Sequence, residues 1–218
     1  ENYIQSSKIA KEIIDFKLKQ IFVQRNLKDD DIDKIYEIIL DLLGTSTVEG
    51  LEIVDSLIRT LKIKGDVCEF GVAQGKTSKL IAYLIRKTKK KLYLFDSFQG
   101  LPKPSKEDVL IDDIFNLGSI NAYQGKMSHG KHKVLNELSK IKFNKKKLVI
   151  NEGFFNQKNL NKFLFPKKIS FAYIDFDFYQ PILDTLKFLE NKLAFKAIVI
   201  IDDYGYFSSG VKKAVDYW

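Results

Sequence analysis

The stretch that decides the fold of this chain is Asp66-Val-Cys-Glu-Phe-Gly-Val-Ala-Gln-Gly-Lys-Thr-Ser78. It begins as a short apolar run that contains an acid, Glu69, passes through a turn of small residues, and continues as a helical pattern. Gly71, Ala73 and Gly75 alternate in this turn, which leaves room for a ligand to approach the backbone. The pattern predicts a buried strand, a tight turn and a helix, the opening unit of many ligand-binding α/β folds.

Strands and helices alternate from Gly65 onwards. Apolar runs typical of buried strands occupy residues 67–70, 91–95, 147–150, 171–175 and 197–201. Helical periodicity is found at residues 77–87, 131–140, 157–163 and 180–193, and another helix begins near Gly210. The alternation predicts an α/β protein with a doubly wound, mostly parallel, Rossmann-like sheet.

Two segments lie outside this alternation. Residues 8–43 and 48–61 show helical periodicity before the first strand, which predicts N-terminal helices. We predict that residues 1–47 form a helical lid or dimerisation segment, so that a homo-oligomer is one expected state, and that residues 48–218 form the ligand-binding domain. The long connection 97–130 follows the second strand, and a loop of this length in a compact domain is usually functional.

The composition excludes several classes of protein. The chain has 218 residues, a formal net charge of +8 and one cysteine, so a disulfide framework is excluded. No apolar run is long enough to span a membrane, and we expect a cytoplasmic protein. Lysine-rich clusters at residues 86–91, 103–106 and 142–147 are interpreted as solvated turns. Because arginine is scarce, nucleic acid is not expected as a partner.

Two kinds of ligand fit the small-residue turn poorly. A phosphate-binding loop requires Gly-x-x-x-x-Gly-Lys-[Ser/Thr]; Gly75-Lys76-Thr77 supplies its end, but Phe70 stands where the first glycine should be. A nicotinamide site requires Gly-x-Gly-x-x-Gly, and this chain lacks the second and third glycines. In that site Glu69 would also repel the pyrophosphate of the cofactor.

S-adenosylmethionine fits the acid and the small residues better. It carries a sulfonium cation and an ammonium group and has no phosphate, so Glu69 is predicted to pair with the ammonium group. Asp96 ends the second strand, one strand-helix-strand length after the turn, and is predicted to bind the ribose hydroxyls. We also assign to the cofactor site the small residues of the turn and of the neighbouring strand ends: Gly71, Ala73, Gly75, Ser97 and Gly153.

Four carboxylates follow the last two predicted strands. Asp175 and Asp177 come at the end of one strand, and Asp202 and Asp203 at the end of the next. Neighbouring strands would bring these groups to one edge of the sheet, where unpaired carboxylates repel one another. A divalent cation relieves this repulsion, and a site of carboxylate oxygens without histidine or cysteine favours Mg²⁺, with Mn²⁺ or Ca²⁺ as alternatives.

The strand-end motifs resemble those of the macrocin O-methyltransferase family. The resemblance covers residues 48–218 and lies in four stretches: residues 65–78, Phe95-Asp-Ser-Phe-Gln-Gly-Leu-Pro102, Ala172-Tyr-Ile-Asp-Phe-Asp-Phe-Tyr179 and Val199-Ile-Ile-Asp-Asp-Tyr-Gly205. It implies a class I, S-adenosylmethionine-dependent enzyme that methylates sugar hydroxyls of macrolide and aminocoumarin antibiotics. It also implies further strands after Trp218 and makes residues 48–218 the methyltransferase domain.

The resemblance implies a role for each matching residue. Glu69, Gly71 and Gly75 would line the methionine part of the cofactor with Ser78 near it, and Asp96 would hold the ribose. The implied metal ligands are Asp175, Asp202 and Asp203, and Asp177 matches the implied general base. The chain departs from the family pattern at Ala73-Gln74, where Trp-Arg is usual, and at Lys76, where glycine is usual.

We therefore predict an S-adenosylmethionine- and divalent-metal-dependent O-methyltransferase that acts on a hydroxyl of a sugar or glycosylated small molecule. Asp177 is the predicted base, and His129 and His132, the only histidines, are alternatives. Two other functions stay open at this point: a phosphate-loop nucleotide hydrolase and a non-catalytic binding protein with a methyltransferase fold.

Overall fold

The computed structural model describes residues 2–24 and 31–218, with side chains from residue 11 onwards. It is an α/β fold that confirms the predicted fold class. The helices and strands, in chain order, are α1 (Asn2–Gln24), α2 (Ile32–Leu40), α3 (Thr47–Thr60), β1 (Asp66–Phe70), α4 (Lys76–Ile85), β2 (Leu92–Asp96), α5 (Lys131–Lys140), β3 (Leu148–Glu152), β4 (Ile169–Ile174), α6 (Tyr179–Leu189), β5 (Leu193–Ile201) and α7 (Ser209–Tyr217).

The five strands form one parallel sheet in the order β3-β2-β1-β4-β5. The strand order reverses beside β1, so the carboxyl ends of β1 and β4 flank a topological switch point, where α/β sheets bind their ligands. Phe70 at the end of β1 is level with Phe95 of β2 and Ile174 of β4, and Ile174 is level with Ile201 of β5. The polar residues that follow these strands therefore share one edge.

Both faces of the sheet are buried, as the apolar runs predict. On one face Phe70 stacks on Phe95 with ring centroids 4.6 Å apart, in a cluster that includes Phe155 and Phe163. On the other face α3 and α4 pack on the sheet, and the N-terminal helices join the same core through residues such as Leu18. The predicted helices before residue 48 are present in the described ranges, and residues 25–30 of that prediction lie outside them.

Two predicted elements differ from the structure. The predicted helix at 157–163 is wrong: the segment holds only a single 3₁₀ turn, Leu160–Lys162. Asparagine side chains compete for the backbone there, since Asn156 accepts a hydrogen bond from the Asn159 amide and Asn159 donates one to the Phe154 carbonyl. Strand β5 begins four residues earlier than predicted, because a bulge with Lys196 at φ 63° interrupts its apolar pattern.

Two lysines of the basic clusters are structural. The Lys147 ammonium donates to the carbonyls of Ile85, Arg86 and Thr88, where α4 ends and carbonyls have no helical partner. The Lys90 ammonium is buried and donates to two backbone carbonyls and the Ser170 hydroxyl. All three donors of each group are thus used inside the protein. Across residues 2–24 and 31–218, no helix has the length and apolar character that a membrane span needs.

Gly71→Ala tests the closeness of β1 and β4. Gly71 has φ 83°, and an added Cβ would lie far inside van der Waals distance of the Asp175 carbonyl oxygen. Strain and overpacking together should lower the free energy of unfolding by about 2–5 kcal/mol, measured by urea denaturation. Gly118→Ala is the control, because Gly118 has φ 78° and open space around it. It should cost only about 1 kcal/mol, and equal losses in the two variants would contradict the close approach.

Candidate active site

A cleft of about 640 Å³ lies at the carboxyl edge of the sheet. Its walls are the β1–α4 turn, the connection 97–130, and the loops that follow β3, β4 and β5. Apolar side chains such as Leu101, Phe115 and Phe154 line it together with polar ones. The volume and the mixed lining are those of a small-molecule site.

Asp96 holds the β1–α4 turn in place. One oxygen of its carboxylate accepts hydrogen bonds from the Val72 amide at 2.7 Å and the Ala73 amide at 3.0 Å. The other oxygen accepts from the Phe98 amide at 2.6 Å. Asp96 lines the cleft, and the oxygen that accepts only from the Phe98 amide keeps a second lone pair for a ligand hydroxyl. The predicted ribose ligand therefore also fixes the turn that would contact the rest of the cofactor.

This turn is not built as a phosphate cradle. Such a loop directs free amides at its ligand, but the Val72 and Ala73 amides donate to Asp96 and the Gly75 amide donates to the Val72 carbonyl. Lys76, the residue that a phosphate loop would direct at the ligand, instead donates to Asp41 at 2.9 Å. Lys76, which stands where the family usually has glycine, therefore does not line the cleft.

The three small residues of the turn have different surroundings. Gly71 and Ala73 line the cleft, both with positive φ, whereas Gly75 does not line it. A Cβ on Gly75 would lie 2.8 Å from the Val134 Cα, so this glycine allows the turn to pack against α5. Gln74, where the family usually has arginine, also lines the cleft.

Glu69 and Ser78 lie beneath the turn and are fully buried. In the part of the chain that the structure describes, neither carboxylate oxygen of Glu69 nor the Ser78 hydroxyl has a hydrogen-bond partner. Burial raises the pKa of Glu69 to about 8, because desolvation outweighs the opposing effect of the neighbouring Ser78 hydroxyl. An unpaired acid under the turn favours a positively charged ligand above it.

The other two residues assigned to the cofactor site differ in position. Ser97 lines the cleft, and its hydroxyl donates to the Gly100 carbonyl at 3.0 Å. Gly153 does not line the cleft; its amide donates to the Asp96 carbonyl at 2.8 Å, and an added Cβ would lie 3.5 Å from the Phe163 ring. Gly153 therefore acts through the position of Asp96.

Three carboxylates converge at the floor of the cleft. Asp175, Asp177 and Asp203 each place an oxygen within 4.8 Å of the others, close enough to share one cation. Asp202 lines the cleft but is not in this group, because it accepts hydrogen bonds from the Tyr173 hydroxyl and from the Asp203 amide. The sequence predicted that all four acids lie at one edge, with Asp175, Asp202 and Asp203 as ligands and Asp177 as base; in the structure all four line the cleft, and Asp177 rather than Asp202 lies in the group of three.

Burial and mutual repulsion raise the pKa of each acid in this cluster. Both Asp175 and Asp177 are half-buried, and their pKa values lie well above the usual carboxyl range, first because the surrounding protein desolvates them and then because of a neighbouring carboxylate. Burial, followed by the charge of Asp202, raises the pKa of Asp203 to about 6. Asp177 and Asp203 also have φ 61° and 55°, a conformation that costs energy in residues other than glycine.

Asp108 joins the connection 97–130 to the loops that carry these acids. Its carboxylate is buried and accepts hydrogen bonds from the Tyr179 amide at 2.7 Å, where α6 begins, and from the Ser208 hydroxyl at 3.3 Å, where α7 begins. It also accepts from Ser105 of its own loop. The positive ends of two helices stabilise this carboxylate, so the loop is tied down beside the cluster.

His129 lines the cleft, and burial together with Lys133 lowers its pKa. His132 is exposed and does not line the cleft. Sequence reasoning missed several cleft residues that follow strand ends or lie in the long loop. The polar ones are Lys103, Asn156 and Gln180, and the apolar ones include Leu43, Ile114 and Phe115. Asn156 and Gln180 could have been found from their positions just after β3 and β4.

Comparisons with known proteins place the chain. The sequence-family model "Macrocin-O-methyltransferase (TylF)" matches residues 11–218. No curated protein sequence matches the chain. The solved structure of the O-methyltransferase NovP has a TM-score of 0.62 and 21% sequence identity, and the match covers 85% of this chain and 70% of NovP.

The calicheamicin methyltransferase CalS11 has a TM-score of 0.60 and 19% identity, over 92% of this chain and 82% of CalS11. Its apo structure, described as a TDP-rhamnose 3'-O-methyltransferase, has a TM-score of 0.50 and 18% identity, over 92% and 83% of the two chains. At these identities the structures share the fold with this chain. Because the family model spans most of the sequence, the chain belongs to the macrocin O-methyltransferase (TylF) family and is an O-methyltransferase.

Proposed function

We propose that this enzyme transfers the methyl group of S-adenosylmethionine to a hydroxyl of a sugar or glycosylated small molecule, with a divalent cation held by the acidic cluster. One observation carries the proposal: a single cleft contains both the β1–α4 turn with Asp96 and the cluster of Asp175, Asp177 and Asp203. A methyl donor and an acceptor hydroxyl would meet between these two groups of residues.

The residues around the turn suit S-adenosylmethionine. The Glu69 carboxylate is buried and unpaired beneath the turn, which favours a cationic ligand, and Gly71 and Ala73 leave the backbone accessible from the cleft. Asp96 keeps one acceptor position free for a ribose hydroxyl, on the oxygen that accepts from the Phe98 amide, and Ser97 lies beside it. When bound, the cofactor supplies an electrophilic methyl group on a sulfonium. The chain's task is to orient the acceptor and remove its proton.

The cluster suits a hard divalent cation. Buried carboxylates whose pKa values are raised by one another gain most from a positive charge, and oxygen ligands alone favour Mg²⁺ or a similar ion. Asp175 and Asp203 would hold the ion, with Asp177 or Asp202 completing the set. The ion would supply Lewis acidity, which lowers the pKa of an acceptor hydroxyl.

Asp177 is the proposed general base. It lines the cleft on the loop between β4 and α6, in a φ 61° conformation that turns it out of the strand direction. Burial and Asp203 raise its pKa, which increases its basicity once it is ionised. His129 lines the same cleft and is the alternative base.

The acceptor side of the cleft suits a sugar. Asn156, Gln180 and Tyr206 present amide and hydroxyl groups that can bond several hydroxyls of a ring, and CalS11 is a TDP-rhamnose 3'-O-methyltransferase. Leu43 and Gly44 of the N-terminal region complete one wall, so we propose that residues 1–47 serve as a wall or lid of the cleft.

The two alternative functions fit these observations less well than the proposed one. A phosphate-loop hydrolase is disfavoured, because the turn amides and Lys76 are engaged elsewhere in the protein. A non-catalytic binding protein would keep the fold and the cleft without turnover, and the experiments below separate it from the proposal.

Calorimetry tests the cofactor site. S-adenosylmethionine should bind and ATP should not. The Asp96→Asn substitution should weaken the affinity for S-adenosylmethionine by at least about tenfold, because the Asp96 carboxylate both fixes the turn and lines the cleft. Glu152→Gln is the control: Glu152 is level with Asp96 on β3 but pairs with Lys131 outside the cleft. Tighter binding of ATP than of S-adenosylmethionine would contradict the proposal.

Mn²⁺ binding, followed by electron paramagnetic resonance without substrate, tests the cation site. Asp203→Asn should weaken the affinity for Mn²⁺ by at least about tenfold, since one negatively charged ligand is lost. Asp184→Asn is the control, because Asp184 is a buried acid on α6 that hydrogen-bonds Gln180 and lies outside the cluster. Mn²⁺ affinity that is unchanged in Asp203→Asn would exclude this cation site.

Asp177→Asn tests the base. The variant should bind S-adenosylmethionine like the wild type, yet its turnover should fall by about 10²–10⁴-fold, the range for a lost general base. Turnover would be measured as S-adenosylhomocysteine release with a panel of deoxysugar glycosides and nucleotide-linked deoxysugars. Near-normal turnover would reject Asp177 and favour His129, while a wild type that binds the cofactor but methylates nothing would support the non-catalytic alternative.

A further inference from the structure

The lysine clusters of the sequence assemble into one surface. Four connections lead into the amino ends of parallel strands: residues 61–65 before β1, 86–91 before β2, 141–147 before β3 and 166–168 before β4. The strands are in register, with Val67 level with Leu92 and Leu92 level with Leu148, so these connections lie side by side at one edge of the sheet. With strands about 4.8 Å apart, the row is about 15 Å long.

We call this edge the basic pole and define it by its exposed lysines that have no carboxylate partner among residues 11–24 and 31–218. They are Lys62, Lys64, Lys89, Lys91, Lys142, Lys145, Lys146, Lys167 and Lys168. The acids named at this edge are fewer than its lysines: Asp31 pairs with Arg86 and Lys87, Asp66 accepts from the Lys91 backbone amide, and Glu190 before β5 accepts from the Trp218 indole. The positive charge of the pole is therefore not neutralised within the described protein.

The charges of the two edges are opposite. The carboxyl ends of the same strands carry the acids of the cleft, such as Asp96, Asp175 and Asp203, whereas the amino ends carry the basic pole. The parallel sheet thus separates positive from negative charge along the strand direction. A negatively charged surface would orient the molecule with its basic pole facing that surface. Lys168 donates one long hydrogen bond, of 3.5 Å, to the Asn191 carbonyl, in contrast to Lys90 and Lys147, whose ammonium groups each donate three internal hydrogen bonds.

The chemistry of the pole favours an anionic lipid surface over nucleic acid. Its charges are lysines on the short connections at one end of a sheet, and the neighbouring Arg86 is engaged by Asp31. Phosphate and base recognition in nucleic acids relies on bidentate arginine and on stacked aromatic rings, which the exposed residues of the pole do not offer. Lysine point charges attract anionic headgroups without directional contacts.

We propose that the basic pole docks this enzyme reversibly on membranes that contain anionic lipids. The docked molecule would present its cleft on the side away from the lipid, open to acceptor and cofactor. The proposal does not depend on the identity of the acceptor or on the cation site.

Co-sedimentation of the full chain with phosphatidylcholine vesicles, with and without phosphatidylglycerol, tests the proposal. Wild-type protein should bind the phosphatidylglycerol vesicles at low salt, release at high salt, and ignore pure phosphatidylcholine. A variant with Lys64→Gln, Lys89→Gln, Lys145→Gln and Lys168→Gln removes one charge from each connection. Each lysine near an anionic surface is worth about fivefold in partitioning, so binding should fall by roughly a hundredfold or more.

A control with Lys106→Gln, Lys126→Gln, Lys158→Gln and Lys162→Gln has the same net charge but changes exposed lysines on connections that follow the carboxyl ends of strands. It should bind vesicles nearly like the wild type. Three outcomes would overturn the proposal: no binding of the wild type to phosphatidylglycerol vesicles, equal losses in the two variants, or tighter binding to a DNA duplex than to vesicles at the same salt. Cofactor affinity and melting temperature, expected to be unchanged, confirm that the variants are folded.

Discussion

The backbone of Gly71 lies against the carbonyl of Asp175, and most of the functional arrangement depends on this close approach. It occurs at the switch point of the sheet, where β1 and β4 are neighbours although a long part of the chain separates them. The turn after β1 carries the cofactor residues, and the loop after β4 carries the acidic cluster. Because no side chain separates the two backbones, both groups open into one cleft.

Carboxyl groups are concentrated at this edge without cationic partners among the described residues. Glu69 is unpaired beneath the turn, and the acids of the cluster raise one another's pKa values in a buried setting. A stable fold tolerates such groups when positively charged ligands neutralise them. The unpaired acids are therefore the physical reason for proposing a cationic cofactor and a divalent cation at this site. Asp96 and Asp108 show the complementary case: their carboxylates accept several backbone hydrogen bonds and fix the loops around the cleft.

The same strand direction that gathers acids at one edge gathers lysines at the other. Four of the five strands enter from connections that carry lysines of the basic pole, and acids of the cleft lie at or after the carboxyl ends of β2, β4 and β5, so the two edges differ in charge. The lysines fall into two groups with different physics. Lys79, Lys90 and Lys147 are buried or half-buried and bonded inside the protein, while the lysines of the basic pole are exposed and have no carboxylate partner among the described residues.

The sequence by itself determined the alternation of elements, the parallel sheet, the turn after β1 and the acids at strand ends, because these depend on local periodicity and on the common direction of parallel strands. It failed where side chains compete for the backbone, as at Asn156 and Asn159, and where a bulge interrupts a pattern, as at Lys196. Only the tertiary structure decided which acids meet, since the hydrogen bond from Tyr173 engages Asp202 and leaves Asp177 beside Asp175 and Asp203. It likewise decided that Gly75 serves packing against Val134, and that lysines far apart in sequence form one surface, because both depend on contacts between elements that no local pattern encodes.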